Sequence, residues 1–150
     1  MIESWTFSPR EGVPPPVAPF AHATAAGETL YVTGQMPTDL EGTLVAGGIV
    51  EQTEQVLANL RQVLALLGGD FRDVLATRAY LRHWEHYTDF NATYARAFPQ
   101  RLPTRTCVGV SALALDALVE IDLVAWRAGG WRADGWPAHT HDPSTQGAAA

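Results

Sequence analysis

A single cysteine, Cys107, is the only thiol in this chain of 150 residues, so an internal disulfide is excluded and a reducing compartment is compatible with the sequence. Basic charge is also scarce. Ten Lys and Arg against 16 Asp and Glu leave a net charge of −6 and a pI near 5.2. Binding a phosphate backbone needs a basic footprint, so nucleic acid is not an expected partner. A small anionic substrate stays open, because one local arginine decides that. No apolar run approaches membrane-spanning length, and no membrane association is expected. The opening Met1-Ile2-Glu3-Ser4-Trp5 has neither a basic start nor an apolar signal core, which reads as a mature, cytoplasmic N-terminus. Gly47-Gly48 and Gly68-Gly69 lack the surroundings of a phosphate loop. His83 and His86 flank Glu85 at i, i+3 with no third ligand, and His139 and His141 are equally isolated, so neither metal nor organic cofactor is expected.

What is present describes an ordinary globular chain: 47% hydrophobic and 17% charged residues, long enough for one domain with a proper core. A short strand is predicted around Ser4–Phe7, followed by the turn-rich Pro9–Pro16, where proline fixes φ and removes donors. Phe20–Ala25 and Thr29–Gly34 read as a hairpin turning at Ala26-Gly27-Glu28, with Gly27 suited to positive φ. Gly34, after a β-branched run, marks a bend or a close backbone approach. From Val50 to Leu67 the period becomes helical, with Val56, Leu57, Leu60, Val63, Leu64 and Leu67 on one stripe and Gly68-Gly69 as the stop. A strand from about Val74 to Leu81 and a helix from about Glu85 to Phe98 follow, the helix closed by Pro99.

Two further strands cover 103–110 and 118–125. The first sets Thr104, Thr106, Val108 and Val110 on one face and Arg105, Cys107 and Gly109 on the other. The second sets Val119, Ile121, Leu123 and Ala125 opposite Glu120 and Asp122. An arginine and a carboxylate brought together in a cleft suit a small acid, the arginine gripping a carboxylate through its planar fork and the glutamate shuttling protons. The competing reading is a solvated outer strand face for both. The order β, β, β, α, β, α, β, β favours an α+β fold, a single mixed sheet with two helices packed on one face. The other face then needs a cover, most simply another subunit. Residues 128–150 carry neither period. They read as a poorly ordered tail, although Trp131 and Trp136 are odd there and suit docking on the domain or a neighbouring subunit.

Taken in order, several segments carry a resemblance: Ala18-Pro19-Phe20, Val32-Thr33-Gly34-Gln35-Met36-Pro37, Glu51–Leu60, Asp89-Phe90-Asn91-Ala92-Thr93-Tyr94, Pro103-Thr104-Arg105-Thr106-Cys107-Val108 and Ala117-Leu118-Val119-Glu120-Ile121. The chain resembles the Rid/YjgF family, the reactive-intermediate imine and enamine deaminases, from about Pro19 to Trp126. The resemblance implies a fold like bacillus chorismate mutase over a domain of residues 1–127. It also implies a homotrimer with a central barrel and clefts between subunits. It implies that Arg105 holds the substrate carboxylate and that Glu120 activates water. Backbone groups near Cys107 would hold water or ligand, and Thr33, Gly34 and Asn91 would line or support the pocket. The expected reaction is hydrolysis of an enamine or imine of a small carboxylic acid to ammonia and a 2-oxo acid, without cofactor.

The family's usual Pro-Tyr-Ser-Gln-Ala is here Pro19-Phe20-Ala21-His22-Ala23. Phe20 loses a hydroxyl donor, a change also found in relatives resembling the aminoacrylate deaminases of pyrimidine breakdown, and implies a more apolar pocket for a larger or aromatic-derived enamine. His22 is either a replacement proton carrier or a structural histidine. Cys107 lacks a paired base and reads as a buried structural thiol. Three rivals remain at this stage: a carboxylate-binding trimer without chemistry, a pathway-specific deaminase or tautomerase for a larger unsaturated amino acid, and a ribonuclease.

Overall fold

A computed structural model describes residues 1–133 and the backbone of 139–141. Its elements are β1 Ile2–Trp5, β2 Ala23–Ala26, β3 Thr29–Gln35, α1 Ile49–Leu66, β4 Val74–Leu81, α2 Tyr87–Ala95, β5 Thr104–Gly109, β6 Val119–Trp126 and β7 His139–His141. The strands form one sheet in the order β5-β4-β6-β3-β2-β1-β7. β4 and β5 pair in parallel, and the other neighbours pair antiparallel. This is the expected mixed α+β sheet. Both helices lie on one face, where Val56, Leu60, Val63 and Leu64 of α1 are buried with Ile121 and Leu123 of β6.

Local chemistry accounts for the ends of α1. The Glu51 carboxylate accepts the Gly48 N–H (2.8 Å), satisfying a donor that the helix start leaves free. At the other end Gly68 sits at φ +80°, and the Gly69 and Gly68 amides donate back to Leu64 O and Ala65 O. That paired return satisfies two carbonyls that the last turn leaves open. The stripe predicted for this helix, Val56 to Leu67, is buried throughout. Polar residues off the stripe fasten loops. Asn59 Nδ2 donates to Met36 O and Thr38 O (both 3.0 Å), Gln52 Oε1 accepts from Leu118 N–H (2.8 Å), and Gln62 Nε2 donates to Glu11 O (2.7 Å).

Several boundaries differ from the sequence reading. β1 begins and ends two residues earlier, Trp5 and Phe7 are buried in the core, and Val13 of the turn-rich stretch is buried with them. β2 begins at Ala23, so Phe20 and His22 precede it in irregular chain, held by the His22 N–H bond to Trp5 O (2.9 Å). The second helix is shorter, because a tight turn over Trp84–His86 precedes it. From Arg127 to Ala133 the chain stays on the domain. Trp131 is buried, its Nε1 donates to Glu28 O (2.9 Å), and β7 pairs with β1. Trp136 lies outside the described residues.

His22 is structural. It is 2% exposed, its Nδ1 accepts the Phe7 N–H (2.9 Å), and its Nε2 is 2.9 Å from Pro14 O. A nitrogen that accepts an amide proton carries none of its own, so Nε2 holds the proton and donates it to Pro14. His22→Ala takes away both bonds and leaves a cavity, and is expected to cost roughly 3 kcal/mol, read as a lower urea midpoint at unchanged m. Burial also holds the imidazole below its ordinary 6.5. The unfolded chain therefore takes up the proton first, and stability is expected to decline as pH falls below that value, a decline that the alanine variant lacks.

Candidate active site

β5 presents Arg105 and Cys107 to the helices and leaves Thr104, Thr106 and Val108 exposed. This inverts the usual expectation for a strand carrying an arginine, and the reason is α2. Its Tyr87, Phe90 and Tyr94 recur along one helical stripe, and the Arg105 guanidinium lies 5.8, 5.4 and 4.9 Å from their ring centres. The Tyr94 hydroxyl is fixed in turn by Thr77 Oγ1 (2.7 Å). Arg105 Nη2 makes a long contact of 3.4 Å with the Tyr87 hydroxyl, and no carboxylate among the described residues pairs with it. Its remaining donors are therefore available to an anionic ligand.

Two further predicted site residues lie on the same elements, α2 and β5. Asn91 follows Tyr87 by one helical turn, and its Oδ1 is buried without a partner among the described residues. Cys107 is half-buried on the same strand face. Burial pushes its thiol up, and the neighbouring Arg105 charge offsets this only in part, so it is not an activated nucleophile. The sequence also contains no lysine, which removes a lysine Schiff base from consideration.

Glu120 lies on the opposite face of the sheet. Thr77 pairs with both Arg105 and Leu123 on the helix side, whereas Tyr80 pairs with Glu120 on the open side. A single chain therefore does not bring the predicted arginine and glutamate together. Glu120 is half-buried, and its carboxyl is pushed above the ordinary 4.5 by burial first and by the Asp122 charge second. The β-bulge between Val32 and Gln35 brings Gly34 against it, so closely that a Cβ on Gly34 would collide with Glu120 Oε1. Gly34→Ala keeps an acceptable backbone but shifts this carboxylate. It is expected to lower turnover by about 10–100-fold with little change in thermal midpoint, checked by steady-state kinetics and melting.

Thr33 and Gly34 border a hollow of about 340 Å3 on the open face, together with Tyr31, Arg78 and Asp122. Asp122 accepts Arg78 Nε at 2.9 and 3.1 Å, so this acid has a cationic partner within the chain. Phe20 is 40% exposed, and its ring meets His22 edge-on on the far side of Gly34. The Arg78–Asp122 pair and the aromatic cage around Arg105 escape a reading of the sequence. Alternation signalled the acids, but nothing local says which strands flank them.

Residues 11–127 match the family model described as Endoribonuclease L-PSP. The chain belongs to this family, the YjgF/Rid family. Among its YjgF/Rid relatives is the 3-aminoacrylate deaminase RutC of Acinetobacter baylyi, 40% identical over 116 residues, covering 77% of this chain and 92% of the relative. The RutC family protein PH0854 of Pyrococcus horikoshii is 36% identical, covering 78% and 94%. The fold also matches the Rid-family protein YyfA of Yersinia pestis, with a TM-score of 0.78 and 31% identity over 83% of this chain and 99% of that one. No helix among the described residues is long and apolar enough to cross a membrane.

Proposed function

We propose that this YjgF/Rid protein hydrolyses enamines and imines of small carboxylic acids at a site shared between two copies of the chain. The observation that carries the reading is the division of labour across the sheet. A guanidinium with open donors sits on one face, and a half-buried carboxylate with raised proton affinity sits on the other. A trimer with a central barrel would set the edge strand β5, and Arg105 with it, beside Glu120 on the open face of a neighbouring copy. The 3-aminoacrylate activity of the RutC relative supports the substrate class.

In this mechanism Arg105 takes the substrate carboxylate bidentately, and Thr33, Asn91 and the backbone at Cys107 orient ligand and water. The enamine tautomerises to the imine. Glu120 takes a proton from water as the C–O bond forms, and the C=N π electrons move to nitrogen. The same proton then passes to nitrogen. The carbinolamine re-forms a carbonyl as the C–N bond breaks and ammonia leaves, its hydroxyl proton returning through Glu120. Imines of this kind hydrolyse unaided, so positioning and one proton carrier suffice.

The test follows 2-oxo acid and ammonia release from imines made in situ by an amino-acid oxidase. Wild type is expected to accelerate release, and Arg105→Ala and Glu120→Gln each to abolish the acceleration. Refolding the two variants together at equal amounts is expected to restore about a quarter of the sites, since random assembly pairs an intact arginine with an intact glutamate that often. Binding of a 2-oxo acid without acceleration would replace the reading with a ligand-binding protein. Acceleration without complementation would overturn the shared site.

A further inference from the structure

Between the turn that leads into β4 and the segment that follows α2 lies a cavity of about 310 Å3. Its apolar walls are Phe71, Ala97, Phe98 and Pro99. Arg72, Gln100 and Arg101 line the rest, and no carboxylate does. None of these residues belongs to the site built on Arg105 and Glu120. The walls are preformed, as in small-molecule sites. The rings of Phe71 and Phe98 stack at 5.0 Å, and each is braced further: the Arg61 guanidinium lies 5.0 Å from the Phe71 ring centre, and the Tyr94 ring 4.9 Å from that of Phe98. The two lining arginines differ. Arg72 has a carboxylate partner, its Nε donating to both Asp70 oxygens at 3.0 Å. Arg101 pairs with no acid among the described residues. Its Nη2 donates to Arg72 O (2.9 Å) and Val74 O (2.7 Å), while its Nε and Nη1 make no hydrogen bond among the described residues. Fastening the start of β4 thus occupies one nitrogen and leaves the charge and the other donors open. A guanidinium already held still loses little further rotamer freedom in gripping an anion.

We infer that this cavity is a second ligand site, separate from that of Arg105, and that it takes a small aromatic carboxylate of the arylacetate kind. Charge decides the sign of the ligand. A carboxylate gains charge-assisted bonds from Arg101, whereas an ammonium meets two guanidiniums and no acid on the lining. The walls decide its body, since a ring beside Phe71 and Phe98 finds aromatic partners for offset or edge-on packing. Size decides its extent. A cavity of about 150 Å3 holds benzene, so roughly twice that volume accommodates a ring together with a short acid side chain.

The experiment titrates phenylacetate, acetate and phenethylamine by calorimetry into wild type and into Arg105→Ala. The alanine variant removes the other arginine that could hold a carboxylate. Tyr94 stays tied to Thr77 (2.7 Å) in that variant, so Phe98 keeps its brace. Phenylacetate is expected to bind both proteins, once per chain in Arg105→Ala, with a Kd between about 10 μM and 1 mM. Acetate, which lacks the ring, and phenethylamine, which reverses the charge, are each expected to bind at least about tenfold more weakly. Two further substitutions, each made on Arg105→Ala, locate the site. Gln100→Glu places a carboxylate on the lining, and Ala97→Phe fills the space; each is expected to weaken phenylacetate by at least about tenfold. Gln100 is exposed and makes no hydrogen bond among the described residues, so the glutamate variant is expected to fold, which melting checks. Four results overturn the inference: no phenylacetate binding, binding by wild type alone, acetate bound as tightly as phenylacetate, or phenylacetate binding that neither lining variant weakens. Binding here requires no imine turnover, so each of these leaves the deaminase reading standing.

Discussion

Replacing Arg105 by alanine is expected to lower kcat/KM for imine hydrolysis by about 10²–10³-fold. A carboxylate that loses both bonds of a bidentate pair in a shielded cleft forfeits an interaction in the range of about 2–5 kcal/mol. The loss is expected mainly in KM, because the carboxylate is bound alike in substrate and transition state, with a smaller share in kcat from poorer alignment. Arg105→Lys separates charge from geometry. Lysine keeps the positive charge and loses the planar fork, so it is expected to recover only part of the deficit. The cage around Arg105 must be separated from the effect on activity. Its guanidinium lies over Tyr87, Phe90 and Tyr94, and removing it is expected to cost about 1–2 kcal/mol of stability as well. Thermal melting of each variant distinguishes the two, and a kcat/KM for alanine within about threefold of wild type would remove Arg105 from the site.

The parts of this molecule that were legible in the sequence are those in which local pattern and global packing agree. α1 is the clearest case, since a continuous stripe from Val56 to Leu67 with a Gly-Gly stop admits one reading, and all of it is buried. Gly27 and Gly34 were legible for a related reason: a positive φ and a close approach are demands that glycine alone meets cheaply, and both are found. β5 was misleading. Alternation separates two faces but cannot say which is covered. Here the face bearing Arg105 is the covered one, because three aromatic rings of a separate helix can shelter a guanidinium. The same blindness hid the relation of Arg105 to Glu120. Which sides of the sheet they occupy follows from pairing through β4, a long-range register that neither strand encodes alone. The segment after Trp126 shows a third failure. Trp131 docks through one indole bond to Glu28 and packs against Gly69, contacts too irregular to leave a period. His22 went the other way: two committed nitrogens decide for the structural role over the proton carrier.

Glu120→Gln is expected to trade activity for stability. Proton transfer by a positioned group is worth about 10²–10⁴-fold, and glutamine keeps the shape of the side chain while losing that function, so kcat is expected to fall by this order with KM little changed. The stability effect has a definite sign. Burial, with Asp122 adding repulsion, raises the Glu120 carboxyl above its ordinary 4.5. A group whose folded proton affinity is raised stabilises the fold while protonated, below 4.5, and that contribution is lost as pH rises through its folded value. At neutral pH the charged carboxylate is therefore a cost, which the uncharged amide avoids. The glutamine variant should melt higher than wild type at pH 7, and the two curves should converge as pH falls below the ordinary 4.5. Wild-type kcat should fall over the acidic range in which Glu120 takes up its proton, whereas the small residual rate of the variant should be flat there. A variant less stable than wild type at neutral pH would mean that the carboxylate makes a stabilising contact when charged. The most direct candidate is the guanidinium of Arg105 in a neighbouring copy, and then Arg105→Ala and Glu120→Gln should be non-additive in stability as well as in rate.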